Sequence, residues 1–344
     1  MSGGVDSTAS ALILRQHHHV KGFFMRLAQP DFTTQKERVE EIAAKLEIDL
    51  QIVDLRQQFN TLVLKYFSNS YYHGLTPNPC VVCNREIKFG LFFKAVRENG
   101  AEYMATGHYA QIVENKGYFS LHCGIDARKD QSYFLSRLDH TQLAKIIFPL
   151  GAMNKENCYN YVREQGFYDF DGLESQDVCF LEKRGIGHFL DKGMAPSQAG
   201  PIMKNDGTIL GQHQGLYHYT IGQRKGLGIS SDSPLYVIEL DIKNNCLVVG
   251  KNDELFCDTM YVHDLHWLAG KPPYLSRNYS VRIRYSHRGS EAHINLLDKN
   301  RAKIIFSSPQ RAITPGQFAV IYDGTELLGS GIIEKSNLNF TVNK

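Results

Sequence analysis

Within fourteen residues the chain passes from a glycine pair directly into a helix: Ser2-Gly3-Gly4-Val5-Asp6-Ser7 is followed by Thr8-Ala9-Ser10-Ala11-Leu12-Ile13-Leu14. Glycines let backbone approach a ligand closely, and a helix N-terminus offers unpaired N–H groups and the positive end of a dipole. Ser2 and Ser7 add hydroxyl donors, and Asp6 is suited to holding a metal or orienting the loop. The pattern predicts a phosphate-binding turn. No GK[ST] element accompanies it, so the γ-phosphate chemistry of a Walker loop is not indicated.

The chain around this turn alternates short apolar runs with amphipathic stretches. Residues 20–25 and 50–55 read as strands, 35–46 and 87–98 as helices, and 103–106 as a strand ending in Gly107-His108-Tyr109. Strand and helix in alternation predict an α/β domain with a parallel sheet whose ligands sit at the carboxyl ends of the strands. After about residue 180 the texture changes to turn signals such as Asn205-Asp206-Gly207 and Asp323-Gly324, with short β-rich runs at 235–240, 247–249, 280–285, 303–306 and 318–322. That spacing predicts a small central α+β domain followed by a C-terminal β-barrel. With 344 residues the chain exceeds one ordinary core, and we divide it at 1–182, 183–254 and 255–344.

No run of eighteen apolar residues is present, so no membrane span or membrane partner is expected. The first residues resemble neither a signal peptide nor a transit segment, which predicts a cytoplasmic location. The charge balance of 38 − 36 = +2 decides nothing about nucleic acid, because local basic faces can hide within a nearly neutral total. His17-His18-His19 lies between a helix and a strand and reads as a solvated turn.

Seven cysteines are an odd number spread over a large chain, which does not make a disulfide framework. Two contexts stand out. In Thr76-Pro77-Asn78-Pro79-Cys80-Val81-Val82-Cys83 the prolines hold an extended approach, and the CxxC opens a helix, where thiolate formation is favoured. A closed zinc site would need further ligands, and no second CxxC or HxxxH exists. Cys179 stands in Ser175-Gln176-Asp177-Val178-Cys179-Phe180-Leu181, where the ordinary reading is a buried apolar side chain.

The string Ser2–Ser7 resembles the loop of the PP-loop ATP pyrophosphatases, which cleave ATP between the α and β phosphates. Further blocks extend the likeness over nearly the whole chain: Ala105-Thr106-Gly107-His108-Tyr109, Lys129-Asp130-Gln131-Ser132-Tyr133-Phe134-Leu135, Gly211-Gln212-His213-Gln214-Gly215, Tyr219-Thr220-Ile221-Gly222-Gln223-Arg224-Lys225-Gly226-Leu227-Gly228 and Thr314-Pro315-Gly316-Gln317. With the cysteine motifs, they make the chain similar to the MnmA family of tRNA 2-thiouridylases. In the PP-loop superfamily a strand feeds the loop, whereas only Met1 precedes Ser2 here.

The resemblance implies a tRNA-uridine 2-sulfurtransferase. ATP with Mg2+ would be held by Ser2, Gly3, Gly4, Val5, Asp6 and Ser7, with Met25 and Gly107. The tRNA, of the lysine, glutamate or glutamine type, would bring a flipped wobble uridine whose O2 attacks the α-phosphate. Sulfur then displaces AMP. Lys129, Asp130 and Gln131 would lie near the adenylate and base, and Arg224, Lys225, Arg284 and Tyr285 would contact tRNA. Tyr217 and Tyr219 beside the Arg224 loop are expected to offer stacking surfaces, and Arg282, His287 and Arg288 extend the basic set. His108 either faces the nucleotide or is a satisfied structural histidine. Cys179 would carry a persulfide supplied by a donor protein, and Cys83 would release the sulfur through a disulfide.

Cys80 stands where part of the family has an aspartate proposed as acid/base, which leaves open an iron–sulfur cluster on Cys80, Cys83 and Cys179 with one free iron site. Two other functions compete: a different PP-loop ligase or nucleotide synthetase, which gives the cysteines no role, and a degenerate tRNA-binding protein without catalysis.

Overall fold

The computed structural model describes residues 1–168, 170, 178–181, 185–193 and 198–335. The motif residues Ser175, Gln176 and Asp177, the expected boundary at 182/183 and the C-terminal residues beyond 335 lie outside the described residues. The fold is mixed α/β with parallel strand pairs in its N-terminal part, a small central sheet and a closed β-barrel.

The first helix, Val5–Leu14, starts straight from the glycine turn with Gly4 as its N-cap residue. The amphipathic helix Phe32–Lys45 buries Val39, Ile42 and Ala43, as its periodicity predicts. The strands Gly22–Arg26 and Leu50–Asp54 pair in parallel, and so do Met104–Ala105 and Ile146–Ile147. These two pairs are not joined into the one parallel sheet that the alternation suggested. Met1 donates its amine hydrogen to the Phe23 carbonyl.

The helix after the prolines begins earlier than its apolar spacing indicated. Pro79–Val82 forms its first turn, with Pro79 at the first helical position and the Asn78 side chain accepting from the Val81 N–H at 3.3 Å. Cys83–Phe92 continues as a π-helix, and Phe93–Glu98 returns to α geometry.

The central unit is a four-stranded sheet in the order Ile209–His213, Gly200–Lys204, Cys246–Gly250, Tyr236–Asp241, with its middle pair parallel. Its core holds Leu216, Tyr219, Val237 and Leu247. The ring of His213 is fully buried, accepting from the Gly215 N–H at 3.1 Å and lying 3.1 Å from the Asn245 carbonyl. The Gly211–Gly215 block is thus part of the architecture.

Six strands close the barrel: Phe256–Trp267, Ala302–Arg311, Ser290–Leu296, Tyr279–Arg282, Phe318–Asp323 and Glu326–Ile333, the last pairing back to the first. The hairpin of Ala110–Asn115 and Tyr118–Cys123 from the N-terminal part adds to the strand Glu326–Ile333, with His122 opposite Glu326. One hydrophobic cluster spans both, from Phe67 and Ile87 through Leu121 to Phe318 and Val320. Among the described residues no helix is long and apolar enough to cross a membrane.

Barrel docking also fixes the approach to the CxxC. The Thr76 N–H donates to the Pro315 carbonyl at 2.9 Å, and the Gln317 amide donates to the Thr76 and Pro77 carbonyls at 2.8 and 3.3 Å. Gly316 has φ +89°, and a Cβ there would meet the Leu75 Cβ at 2.9 Å and the Thr76 N at 3.0 Å. The Thr314–Gln317 block is therefore a latch onto the segment leading to Cys80. Gly316→Ala is expected to lower stability by about 1–3 kcal/mol, through left-handed strain and the close contact. Urea denaturation checks it, and an unchanged midpoint would mean that the latch yields without strain.

Candidate functional site

A cavity of about 980 Å³ is lined from the residues before the strands Gly22–Arg26 and Met104–Ala105, such as Lys21 and Tyr103, to their carboxyl ends at Met25 and Thr106. Ser2, Gly4, Val5, Asp6 and Ser7 line it, together with Met25 and Gly107, so this phosphate-loop set and the two outlying nucleotide positions share one space. Gly3 belongs to the same turn with φ +79°. The Ser7 hydroxyl caps the turn by donating to the Gly4 carbonyl at 2.9 Å and accepts from the Ser2 N–H at 3.2 Å.

The Asp6 carboxylate accepts from Lys155, Tyr109 and, at 3.7 Å, the Cys158 thiol. Lys155 Nζ lies 2.7 and 2.9 Å from its two oxygens, and the Tyr109 hydroxyl donates to Oδ1 at 2.8 Å. Lys155 also sits over the Tyr109 and Tyr159 rings at 5.6 and 5.2 Å. Of the two roles read for Asp6, orientation of the loop is the one its partners serve. Burial pushes the Tyr109 hydroxyl up, and the Asp6 charge adds to that. At Gly107 the strand end touches the first turn of the helix: a Cβ there would sit 2.8 Å from the Asp6 carbonyl carbon and its Cβ. Only glycine fits at that approach without displacing the loop.

His108 is buried and packs against Phe89 and Phe148. Lys88 Nζ lies 3.3 Å from its Nε2, and Thr106 Oγ1 lies 2.7 Å from its Nδ1. A lysine ammonium has only donors, so Nε2 accepts and Nδ1 carries the ring proton towards Thr106. Burial holds the imidazole well below its usual 6.5, and the Lys88 charge adds to the effect. His108 both lines the cavity and is a satisfied structural histidine.

Lys88 is the residue that motif reading passed over. It lines the cavity, and its charge acts on Cys80, Cys83, Cys179 and His108. The sequence signal was a lysine one helical segment beyond the CxxC. All seven cysteines are free thiols. Burial pushes Cys80 up to about 11, reinforced by Cys179 and opposed by Lys88. Cys83 is pushed up to about 12 by burial, again opposed by Lys88. Burial also raises Cys179, although that residue keeps an exposed surface. The expectation that the helix start favours the thiolate is corrected, because burial raises both CxxC thiols and outweighs the opposing charge of Lys88. Among the described residues no three His, Cys, Asp or Glu side chains converge to hold a metal ion.

Lys129, Gln131 and Tyr285 line the cavity, whereas Asp130 is buried behind it in an ion pair with Arg282. Gln131 is fixed by exchange with Tyr109, accepting from its N–H at 3.1 Å and donating its own N–H to the Tyr109 carbonyl at 2.8 Å. The strand expected over 280–285 ends at Arg282, and Arg284 and Tyr285 lie in the turn beyond it. Arg284 donates to the Arg311 carbonyl at 3.2 Å. Arg224 and Lys225 are exposed on their loop, but Tyr217 and Tyr219 are buried and offer no stacking faces there. Tyr217 donates to Asp191 at 2.7 Å, and Tyr219 fills the central core.

Three family models match the chain: a tRNA methyl transferase HUP domain over residues 1–183, a tRNA methyl transferase PRC-barrel domain over 187–251 and an aminomethyltransferase beta-barrel domain over 257–333. A tRNA-specific 2-thiouridylase MnmA of Desulfotalea psychrophila is 55% identical over 334 residues, covering 97% of this chain and 97% of that protein. The chain belongs to the MnmA family of tRNA-specific 2-thiouridylases. Members from Nostoc punctiforme and Shewanella oneidensis are 42% and 38% identical, each over 97% of this chain and 97% and 95% of their own lengths. In this MnmA-family chain Lys88 lines the cavity that the phosphate loop lines, and its charge acts on Cys83, which does not itself line that cavity.

The buried histidine generates a pH prediction. The unfolded chain binds the proton near 6.5, whereas folded His108 does so only well below that value. Its contribution to stability is therefore present above 6.5 and lost as pH falls, at up to about 1.4 kcal/mol per pH unit. His108→Gln should flatten the slope of unfolding free energy between pH 6.5 and 5 relative to wild type. Equal slopes would place His108 in contact with water.

Proposed function

We propose that this chain uses ATP to activate the C2 carbonyl of a wobble uridine in tRNA and replaces its oxygen with sulfur carried by Cys179. The observation that carries this reading is the place of Lys88: it stands on the wall of the cavity that the phosphate loop lines, and its charge acts on all three thiols of the cysteine set, which lie off that wall.

The chemistry follows from the groups present. The glycine turn and the start of the first helix would take the phosphates, with Asp6 already neutralised by Lys155. Uridine O2 attacks the α-phosphorus, pyrophosphate leaves, and the carbonyl oxygen becomes part of a good leaving group. Lys129 on the cavity wall can offset charge developing on phosphate. A target base must leave its stack to reach this depth, and Tyr285 on the wall offers it an aromatic face.

For the second half, the terminal sulfur of a Cys179 persulfide attacks C2 and AMP departs with its oxygen. The Cys83 thiolate then attacks the Cys179 sulfur, breaking the S–S bond, so the electron pair leaves on the uridine sulfur and a Cys83–Cys179 disulfide remains. A donor protein supplies the persulfide sulfur, and a thiol reductant returns the two cysteines. Asp6 is engaged by Lys155 and Tyr109, so Mg2+ is expected to come with the triphosphate and take its ligands from phosphate oxygens. The donor set does not fit a protein-held metal among the described residues, and no step here runs through one or through an iron–sulfur cluster. Cys80, half-buried and with its thiol pushed up to about 11, would serve as a neutral thiol beside the base, in place of an acid.

With unmodified tRNA, Mg-ATP, a persulfide donor and a thiol reductant, Cys179→Ser and Cys83→Ser should lower sulfur incorporation more than about a hundredfold. Both should keep tRNA-dependent pyrophosphate release, and Cys80→Ser should retain thiolation in air. Thiolation confined to anaerobic protein and lost in all three variants would replace the persulfide route by the cluster. No pyrophosphate release with tRNA bound would leave a binding protein. Because burial holds the thiols protonated, the thiolation rate should also rise with pH from 7 to 9, by up to about tenfold per unit. A flat profile would mean that deprotonation of these thiols does not limit the reaction.

A further inference from the structure

Asp130 stands between two residues that line the nucleotide cavity, yet its own side chain is turned away and buried. Its four acceptor directions are filled. Oδ1 accepts from the Gly124 and Ser132 N–H groups, both at 3.1 Å, and Oδ2 from the Ser132 hydroxyl at 3.0 Å and Arg282 Nη1 at 2.7 Å. No lone pair is left for an RNA group to use. The partner comes from another domain: Arg282 is the last residue of the barrel strand Tyr279–Arg282. Its guanidinium lies over the Tyr322 ring at 4.4 Å and reaches Cys123 Sγ at 3.4 Å, and Tyr322 in turn bonds the Ser132 hydroxyl at 3.1 Å.

The segment just beyond Arg282 gives this pair its meaning. The strand stops there and the backbone turns, with the His287 N–H donating to the Arg284 carbonyl at 3.0 Å. The turn brings Tyr285 onto Phe134, ring centroids 4.4 Å apart and planes 29° from parallel. Phe134 belongs to the same short segment as Asp130, and its N–H donates to the Gln131 carbonyl at 3.1 Å. Tyr285 is thereby the barrel residue on the cavity wall, held at one end by an ion pair and at the other by a stack.

We infer that Asp130 and Arg282 are positioning residues, whose ion pair seats Tyr285 on the cavity so that the barrel completes the wall met by the target base. This rests on the reading that a tRNA base enters the cavity. Asp130 acts on the substrate only through Arg282 and Tyr285, and the Lys129-Asp130-Gln131 motif divides into two wall residues and one anchor.

The test uses the full chain with unmodified tRNA and Mg-ATP, following pyrophosphate release and, separately, the tRNA Kd. Three proteins are compared with wild type: Tyr285→Ala, the charge-neutral pair Asp130→Asn with Arg282→Met, and all three changes together. Removing both charges avoids stranding one of them in the interface. Each protein should show KM and Kd for tRNA raised about tenfold, the scale of one lost base stack, with KM for ATP unchanged. The triple variant should be no worse than either parent, because all three changes remove one wall contact.

A merely structural pair would lower the urea midpoint, leave KM and Kd for tRNA alone and add its effects independently of Tyr285. That outcome, or multiplying effects in the triple variant, or a silent Tyr285→Ala, overturns the proposal. If wild type binds tRNA but releases no pyrophosphate, the thiolation reading fails, while the Kd comparison still decides the positioning claim.

Discussion

The Asp6 carboxylate is where the N-terminal part of the molecule is tied together. It sits in the first turn of the helix behind the phosphate loop, and it is reached by Lys155 from one helix and by Tyr109 from a strand end. Its own backbone forms the surface against which Gly107 packs. Three segments far apart in the chain therefore meet at one side chain. Lys155 is largely enclosed, so removing Asp6 would withdraw a counter-charge from a shielded ammonium, which proteins tolerate poorly. A loop fixed in this way presents its N–H groups to phosphate without having to reorganise, which is what an anion site in water requires.

The cysteine half depends on a different anchor. The segment before Cys80 takes hydrogen bonds from Thr76 to Pro315 and from Gln317 back to Thr76 and Pro77, so the barrel fixes where the CxxC begins. The Tyr133 hydroxyl to the Phe318 carbonyl at 2.9 Å and the Ser330 hydroxyl to the Ser136 carbonyl at 3.1 Å repeat the docking behind the cavity. With the hairpin strand Tyr118–Cys123 paired to the barrel strand Glu326–Ile333, the contact is continuous hydrogen-bonded structure and shared core. The barrel is a structural wall of the N-terminal domain as much as a separate module.

Local features were legible in the sequence where local chemistry decides them. The glycine turn, the proline at the start of the CxxC helix, the amphipathic helix Phe32–Lys45 and the turns at Asn205 and Asp323 follow from residue type and spacing. What escaped were outcomes of tertiary competition. Tyr217 and Tyr219 flank a basic loop in sequence, but their rings are consumed by packing. Asp130 shares a motif with two cavity residues, yet it is turned inward onto Gly124, Ser132 and Arg282, the last from 152 positions away. A helix start argues for thiolate, yet the desolvation that raises Cys83 comes from side chains gathered around it by the fold. The role of Lys88 is likewise a sum over neighbours that no single motif contains.

The π geometry of Cys83–Phe92 has a geometric consequence for the cysteine set. In an α-helix, residues five apart project about 140° from each other, so Cys83 and Lys88 would diverge around the cylinder. A π turn closes its hydrogen bonds between residues five apart, which brings such a pair towards one side. The wide turn thus acts as an angular correction: it lets one rigid rod present sulfur and ammonium in a common direction without any loop between them. The α geometry of Phe93–Glu98 then restores ordinary packing, so the irregular winding ends before that segment.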